Sequence, residues 1–559
     1  MGRLTEMGGP LQAEVLLLRS GIRAATERHL GHPINFTKWI DTMGGPKSGN
    51  DLLLERLKSA LRCLHELTLL IPGAALQLTR NSVCIDVPGA PAMMVTFDAH
   101  QSRLSALASG VERELGVFAN PDLLLRAVVW SIGAAAWGDR WIDPPAAPLS
   151  ILPPADGRGY RLEDPDQSGG AWPEIAAEFD AITLSRACAH PIAHLITAAT
   201  TLAVPDSVGL AERKTAAQVR HRDRVRGCLV GGAIGDALGY PVEFWSAERI
   251  LASVGAAGVL HYLALPNRSL GVVSDDTQMT LFTADALARD STRASDPPAT
   301  RNALARAYLD WYDTQNGWEN RPMREAATSA LMSERWLYVR RAPGNTIMGA
   351  LSQITDRTLS VPDAQNDSKG CGTVMRSAPF GLVLRWSPET VFAAAASAAA
   401  ITHGHPVAHV AAGALALLVR LLAAGGDLEL SVLAARDYAA SQEGYRLTLT
   451  SESLDQALRL SHTASPTLAT VESLGAGWIA EEALGIAVYC ALAFPAAHQV
   501  MEALTLAVTH SGDSDSTGAI CGNILGALHG ESALPSALVA GVEGLATTRG
   551  VADALAEAR

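Results

Sequence analysis

The sequence predicts a mainly α chain, with a small α+β domain at the front and an all-α domain over the longer remainder. Past residue 205, apolar positions recur at helical spacing and Ala-rich runs alternate with polar helix starts. Before residue 143 the period switches from helical to alternating and back. Between them, Asp143 to Pro173 is punctuated by Pro, Gly and Asp, which is connector composition.

Composition sets the outer bounds. At 559 residues the chain is too long for one ordinary domain. With 48% hydrophobic and 18% charged residues it can build a large core, which excludes global disorder. The balance of 44 basic against 57 acidic residues gives −13, and nucleic acid is not expected as a partner, because phosphate binding wants a basic face. Seven cysteines with no CxxC pair read as free thiols in a reducing compartment. Met1 to Leu18 carries Glu6 and Glu14 and no apolar core before a small-residue cleavage site, so no secretory signal is expected. The run Val407 to Leu422 contains His409 and Arg420 and reads as a core helix, not a membrane span. A cytoplasmic protein without membrane contact is the expectation.

In chain order, Leu11–Leu30 and Leu52–Ile71 have helical spacing, the second stopped by Pro72-Gly73. Ala75–Val87 and Ala92–Phe97 read as the two strands of a hairpin, and Leu104–Leu115 and Leu123–Trp137 as helices. A helical stretch at Glu174–Leu202 follows the connector, and Glu212–Arg226 opens the next helix. The expected division is 1–143, an accessory or recognition domain; 144–214, a linker plus helix; and 215–559, the catalytic domain.

The chemistry sits at helix starts in the last of these. Arg226–Glu243 reads RGCLVGGAIGDALGYPVE: its glycines allow close backbone approach, and Asp236 and Glu243 stand out. It has no Lys, so it is not a P-loop. Ser274-Asp275-Asp276-Thr277 heads an apolar helix. A cap explains one acid there, while two adjacent acids repel unless a cation or solvent separates them. Lys369-Gly370-Cys371-Gly372-Thr373-Val374-Met375 has the form of a backbone nest for phosphate. His510–Gly518 packs two carboxylates and three hydroxyls between Gly512 and Gly518, and reads as a capped turn or as a metal or phosphate site. Oxygen donors fit Mg²⁺ better than zinc, for which His403 and His405 lack a Cys/His partner set.

Asp513-x-Asp515-x-Thr517 matches the DxDxT pattern of haloacid-dehalogenase-type phosphatases, but that motif comes early and needs a downstream Lys, and none follows Lys369. Gly512-Asp513-Ser514 is similar to a GDS-type esterase block, but no later Asp-x-x-His pair follows. The pieces GCLVGGAIGDALGYPVEF, SDDTQM, RAPGNT, KGCGTVMRSAP, ITHGHP, GWIAEEAL and HSGDSDSTG, in that order, make residues 225–530 resemble the ADP-ribosylglycohydrolase family, of the dinitrogenase reductase-activating type. The resemblance implies an all-α domain binding two Mg²⁺ ions, with Mn²⁺ a close alternative. It implies metal ligation by Ser274, Asp275 and Asp276 from one side and by Asp513, Asp515 and Ser516 from the other, Asp515 bridging. It places Glu243, Asp276 and Asp515 in catalysis. It assigns the diphosphate to the loop of Gly370, Gly372, Thr373 and Met375, with His403 in reach of substrate. The implied reaction is removal of ADP-ribose from a modified protein, reversing a toxin's or a regulatory ADP-ribosylation. The alternative is an immunity or regulatory protein that occludes a cognate ADP-ribosyltransferase, which is the other partner expected.

Overall fold

The computed structural model describes seven strands between Ala75 and Glu163, and residues 207–558 apart from short breaks at 267, 291–296, 321–328, 355–360 and 443–447. The helices expected at Leu11–Leu30, Leu52–Ile71, Leu123–Trp137 and Glu174–Leu202 lie outside the described residues. The chain divides into two compact units, Glu14–Arg213 and Met1–Ala13 with Lys214–Arg559.

In the first unit, β1 (Ala75–Leu78), β2 (Ser82–Asp86), β3 (Ala92–Phe97), β4 (Ser102–Ala108) and β5 (Val111–Phe118) form an antiparallel meander in sequence order. The expected hairpin is there but larger, since the run Ala75–Val87 itself folds back as β1 and β2, with Leu78 opposite Val83. The helix expected at Leu104–Leu115 is replaced by β4 and β5. A register shift at Leu104/Ser105 breaks strict alternation, which left a pattern that mimics helical spacing. Within the stretch read as a connector, β6 (Ser150–Leu152) pairs with β7 (Arg161–Glu163).

The second unit is helical. α1 (Ser207–Gly239) and α2 (Ala247–Val254) lead to α3 (Asp275–Asp290) and α4 (Pro297–Thr314). α5 (Asn345–Ser352), α6 (Ala378–Gly381) and α7 (Pro388–Ala399) follow. Next come α8 (Pro406–Ala423), α9 (Leu428–Ala440), α10 (Thr448–Thr463), α11 (Leu468–Glu472) and α12 (Ala480–Ala493). α13 (Val500–Val508), α14 (Ser514–His529), α15 (Ser536–Gly541) and α16 (Leu545–Glu557) complete it.

α8 is the hub, packed by α6, α7, α9, α12 and α14. Its length and apolar composition would suffice to cross a membrane, but 89% of it is buried inside the helical unit. A helix apolar on every face belongs in a core. The one cation within it, Arg420, is fully buried and donates to the carbonyls of Leu384 and Trp386.

α1 and α14 meet backbone to backbone. Gly227, Gly231, Gly235 and Gly239 recur every fourth residue and so share one face of α1. A β-carbon on any of them would collide with the carbonyl of Gly526, Gly522, Gly518 or Ser514 respectively, and the converse holds for Gly518, Gly522 and Gly526. The descending order of partners makes the helices antiparallel. The C-terminal end of α1 is thereby laid against the N-terminal end of α14. Arg222 and Arg226 of α1 also grip Asp553 of α16, at 2.5 and 2.6 Å.

Candidate active site

Three chain segments bring carboxylates to one place, and each is held by its own local device. The first is the end of α1. Asp236 is fully buried and accepts hydrogen bonds from the Ser274 N–H (2.8 Å), the Thr277 N–H (3.0 Å) and the Thr277 hydroxyl (2.5 Å). It is therefore a tertiary cap on α3, satisfying N–H groups that the first turn leaves open. That cap aims Asp275 and Asp276. The Asp275 N–H donates to the carbonyl of Arg341 (3.2 Å), and the Asp276 N–H to the Ser274 hydroxyl (3.2 Å). Arg341 in turn donates to the Val273 carbonyl (2.6 Å) and to both oxygens of Glu543 (2.8 and 3.0 Å).

The third segment is the start of α14. Asp513 is its N-cap and accepts from the Ser516 N–H (3.4 Å), which also reaches Asp515 Oδ1 (3.0 Å). Gly512, with φ of 145°, presses on the Ala476 carbonyl, which also receives the Asp513 N–H at 2.9 Å. His510 and Thr517 lock the turn from behind (2.9 Å).

Between the two lies Glu243, just past the short 3₁₀ turn Tyr240–Val242. Oxygens of Glu243, Asp513 and Asp515 lie within 4.8 Å of one another, and all three side chains are buried. Burial first, then Asp513, Asp275 and Asp236, push the Glu243 carboxyl up to about 9. Burial likewise raises Asp275, Asp276 and Asp515 well above the carboxylate range, with Asp236, Asp275 and Glu243 respectively as their largest neighbours in effect. Asp236 rises to about 6, burial outweighing its hydrogen bonds. Glu243 Oε2 and Asp276 Oδ2 are buried without a hydrogen-bond partner. Unpartnered buried oxygens among like charges fit a divalent cation, which relieves the repulsion and takes oxygen ligands.

The glycine loop stands beside this cluster. Gly370 bridges to Ile479, the Cys371 N–H donates to the Trp478 carbonyl (3.1 Å), and the Ala480 N–H donates to the Lys369 carbonyl (2.9 Å). Cys371 Sγ donates to Asp513 Oδ2 (2.7 Å), joining loop and carboxylates directly. Thr373 is buried with its hydroxyl on the Gly370 carbonyl (3.3 Å), and the Met375 carbonyl accepts from Thr280 of α3 (3.0 Å). The His403 ring lies against Gly370, where a side chain would crowd it, and beside Gly372, where one would crowd Ile347. Its Nδ1 pairs with the Thr402 hydroxyl (2.8 Å), which also takes Arg376 (2.6 Å). Burial and then Arg376 lower His403 to about 3, so the ring is neutral. Thr346 ties the outer side of the loop to α5 through Ser368 (3.1 Å). There a cavity of about 460 Å³ opens between Asn345, Gln353, Asp363 and Asn366.

Glu243, Asp275, Asp276, Asp513 and Asp515 thus converge. Ser274 and Ser516 sit among them as capping groups, and Gly370, Gly372, Thr373, Met375 and His403 form the adjoining wall. Sequence reading noticed Asp236 without giving it a task, and named Cys371 in the glycine loop and Trp478 in the GWIAEEAL piece without giving either a role. The small-residue spacing around Asp236 was the available signal, since a carboxylate on a fully packed face needs a buried donor.

The ADP-ribosylglycohydrolase family model matches residues 217–559. An uncharacterized protein of Archaeoglobus fulgidus is 30% identical over 310 residues, 55% of this chain and 87% of the relative. The uncharacterized protein YegU of Escherichia coli is 28% identical over 337 residues, 57% of this chain and 91% of its own length. The ADP-ribosyl-[dinitrogen reductase] glycohydrolase of Rhodospirillum rubrum is 23% identical over 318 residues, 56% of this chain and 88% of its own. With more than half its length matched, and the acid clusters of that stretch folded into one buried site, the chain belongs to the ADP-ribosylglycohydrolase family, glycosidases acting on ADP-ribosyl linkages.

Proposed function

We propose that this protein removes ADP-ribose from a modified protein with two Mg²⁺ ions bound among Ser274, Asp275, Asp276, Asp513, Asp515 and Ser516. The observation that carries the reading is the convergence of Glu243, Asp513 and Asp515 within 4.8 Å in a buried pocket that holds two unpartnered carboxylate oxygens. A divalent cation bound there would hold sugar hydroxyls and would activate a water for attack. Asp515, central to the cluster, is suited to bridge two ions. Asp276 presents its unpartnered oxygen to the same space. In this reading Glu243 would hold or move the proton that ribosyl transfer needs at the carbon where positive charge develops.

The glycine loop suits a diphosphate because its backbone can approach closely. His403, neutral and wedged against the loop, can offer Nε2 as a hydrogen-bond partner. The cavity beyond Ser368 has room for the remaining nucleoside. The free thiols Cys228, Cys371, Cys490 and Cys521 suit work in a reducing compartment such as the cytoplasm.

The test is release of free ADP-ribose from peptides carrying defined linkages, followed by chromatography with Mg²⁺ and with a chelator. Mg²⁺-dependent release is expected from at least one linkage. No release from any, with Mg²⁺ or Mn²⁺ supplied, overturns the reading.

A further inference from the structure

Among the described cysteines one differs from the rest. Cys228, Cys490 and Cys521 are buried thiols, while Cys371 is partly exposed and turned onto the acid cluster. Its Sγ donates to Asp513 Oδ2 at 2.7 Å and accepts from the Ser516 hydroxyl at 3.6 Å. Those partners stand at the start of α14, 142 and 145 residues further along the chain. The backbone holds the thiol in that position. The Cys371 N–H is on the Trp478 carbonyl, and neighbouring Gly370 is bridged to Ile479.

A thiol beside one carboxylate needs no metal, but two further facts ask for one. Asp513 is also a member of the acid trio, its oxygens within 4.8 Å of those of Glu243 and Asp515. Glu243 Oε2 and Asp276 Oδ2 have no hydrogen-bond partner, although these residues are only 7% and 3% exposed. Buried oxygens without donors therefore adjoin a sulfur whose partner is one of their own group. Mg²⁺ takes oxygen and has little use for sulfur, whereas thiolate selects softer ions such as Zn²⁺. Zinc reaches a thiolate sulfur at about 2.3 Å and a carboxylate oxygen at about 2.0–2.2 Å, so one ion can touch Cys371 and Asp513 together. The sequence argued against zinc because His403 and His405 lack a Cys/His partner set. Folding supplies a sulfur donor from a different direction, the glycine loop.

We propose that Cys371 and Asp513, joined by Glu243 or Asp515, form a mixed sulfur–oxygen site that takes Zn²⁺ in place of Mg²⁺ and ties the glycine loop to α14. This rests on the acid cluster holding a cation, as read above, and not on the reaction that follows. On binding, the thiol proton leaves to solvent and a sulfur lone pair goes to the ion; nothing is oxidised or reduced. Zn²⁺ held this way competes with Mg²⁺ for Asp513 and fastens the loop beside the site.

The test titrates the full-length, metal-free chain with Co²⁺, whose bond to a thiolate gives a near-ultraviolet charge-transfer band that oxygen ligands do not give. The band is expected in wild type, should vanish when Zn²⁺ is added, and should be absent in Cys371→Ser, whose hydroxyl can still donate to Asp513. By calorimetry the variant should lose Zn²⁺ affinity by about tenfold or more, the scale of losing a group at a metal site, with a far smaller change for Mg²⁺. Alkylation of wild type followed by mass spectrometry needs no variant: Zn²⁺ should protect Cys371 and Mg²⁺ should not. Mg²⁺ binding with no cobalt band, a band or Zn²⁺ affinity unchanged in Cys371→Ser, or equal protection by both ions overturns the mixed site and leaves the Mg²⁺ reading standing. Binding of none of the three ions overturns both.

Discussion

Asp236 shows how a residue that touches no reactant can govern a site. Its two oxygens hold the first turn of α3, so Asp236→Asn replaces one acceptor with a donor facing N–H groups. Supporting groups behind metal ligands are commonly worth 10–100-fold, and a weakening of roughly that size in Mg²⁺ affinity is expected by calorimetry. Asp515→Ala should lose more than about a hundredfold in turnover with its circular dichroism unchanged, because in the two-metal reading proposed above it would be the ligand shared by both ions. Near-normal turnover would remove Asp515 from the centre of the site. Glu243 supplies a pH signature. Its folded pKa of about 9 lies above the ordinary 4.5, so the stability it contributes is complete below 4.5 and is lost as pH rises through 9. His403, lowered to about 3 from 6.5, works in the opposite sense, its share fading as pH falls through that interval. Thermal melts in chelator should therefore decline toward alkaline pH in wild type and decline less in Glu243→Gln. Added Mg²⁺ should stabilise most at the alkaline end, and equal slopes in the two proteins would be the contrary result. The acids were legible in the sequence because polar residues interrupt apolar runs at helix starts. Asp236's task was not, because its partners lie 38 and 41 residues away and only folding brings them together.

Among the elements, the seam of α1 and α14 sets the site. Backbone contact leaves no room for even one methyl group, so Gly235→Ala or Gly522→Ala should destabilise by about 1–3 kcal/mol or more, as overpacked cores do. The displacement falls on Asp236 and Asp515 together, so Mg²⁺ affinity should drop in the same variants. Wild-type affinity in a destabilised variant would separate the seam from the site. The helices of this unit were readable because their periodicity is long and their caps conventional: Ser246, Ser387, Asp427 and Thr467 each accept from the N–H three residues on. The strands β4 and β5 were not. Leu104, Leu107, Ala108, Val111 and Leu115 fall at helical intervals, and the shift at Leu104/Ser105 hides the alternation. The Ser-Gly pair at 109–110, turn composition in the sequence, was the overlooked sign.

At the scale of the molecule, every group placed at the site lies in the unit that Lys214–Arg559 builds, and α1 begins at Ser207. We therefore propose that the preceding region serves recognition of a protein partner. A truncated chain beginning at Pro205 should bind Mg²⁺ and cleave a small ADP-ribosyl substrate at a rate near that of the full chain, while losing affinity for the intact modified protein. A folded but inactive truncation would show that the front region completes the site. The seam carries a last consequence. Asp236 lies on one helix, with Glu243 just past its end, and Asp513 and Asp515 stand at the start of another, where glycine main-chain contacts bring the two helices close. We therefore propose that the gap gauges ionic radius: Mg²⁺ asks for oxygens at about 2.0–2.1 Å, Ca²⁺ for about 2.3–2.6 Å and more of them. A pocket so gauged should hold the smaller ion and turn the larger away.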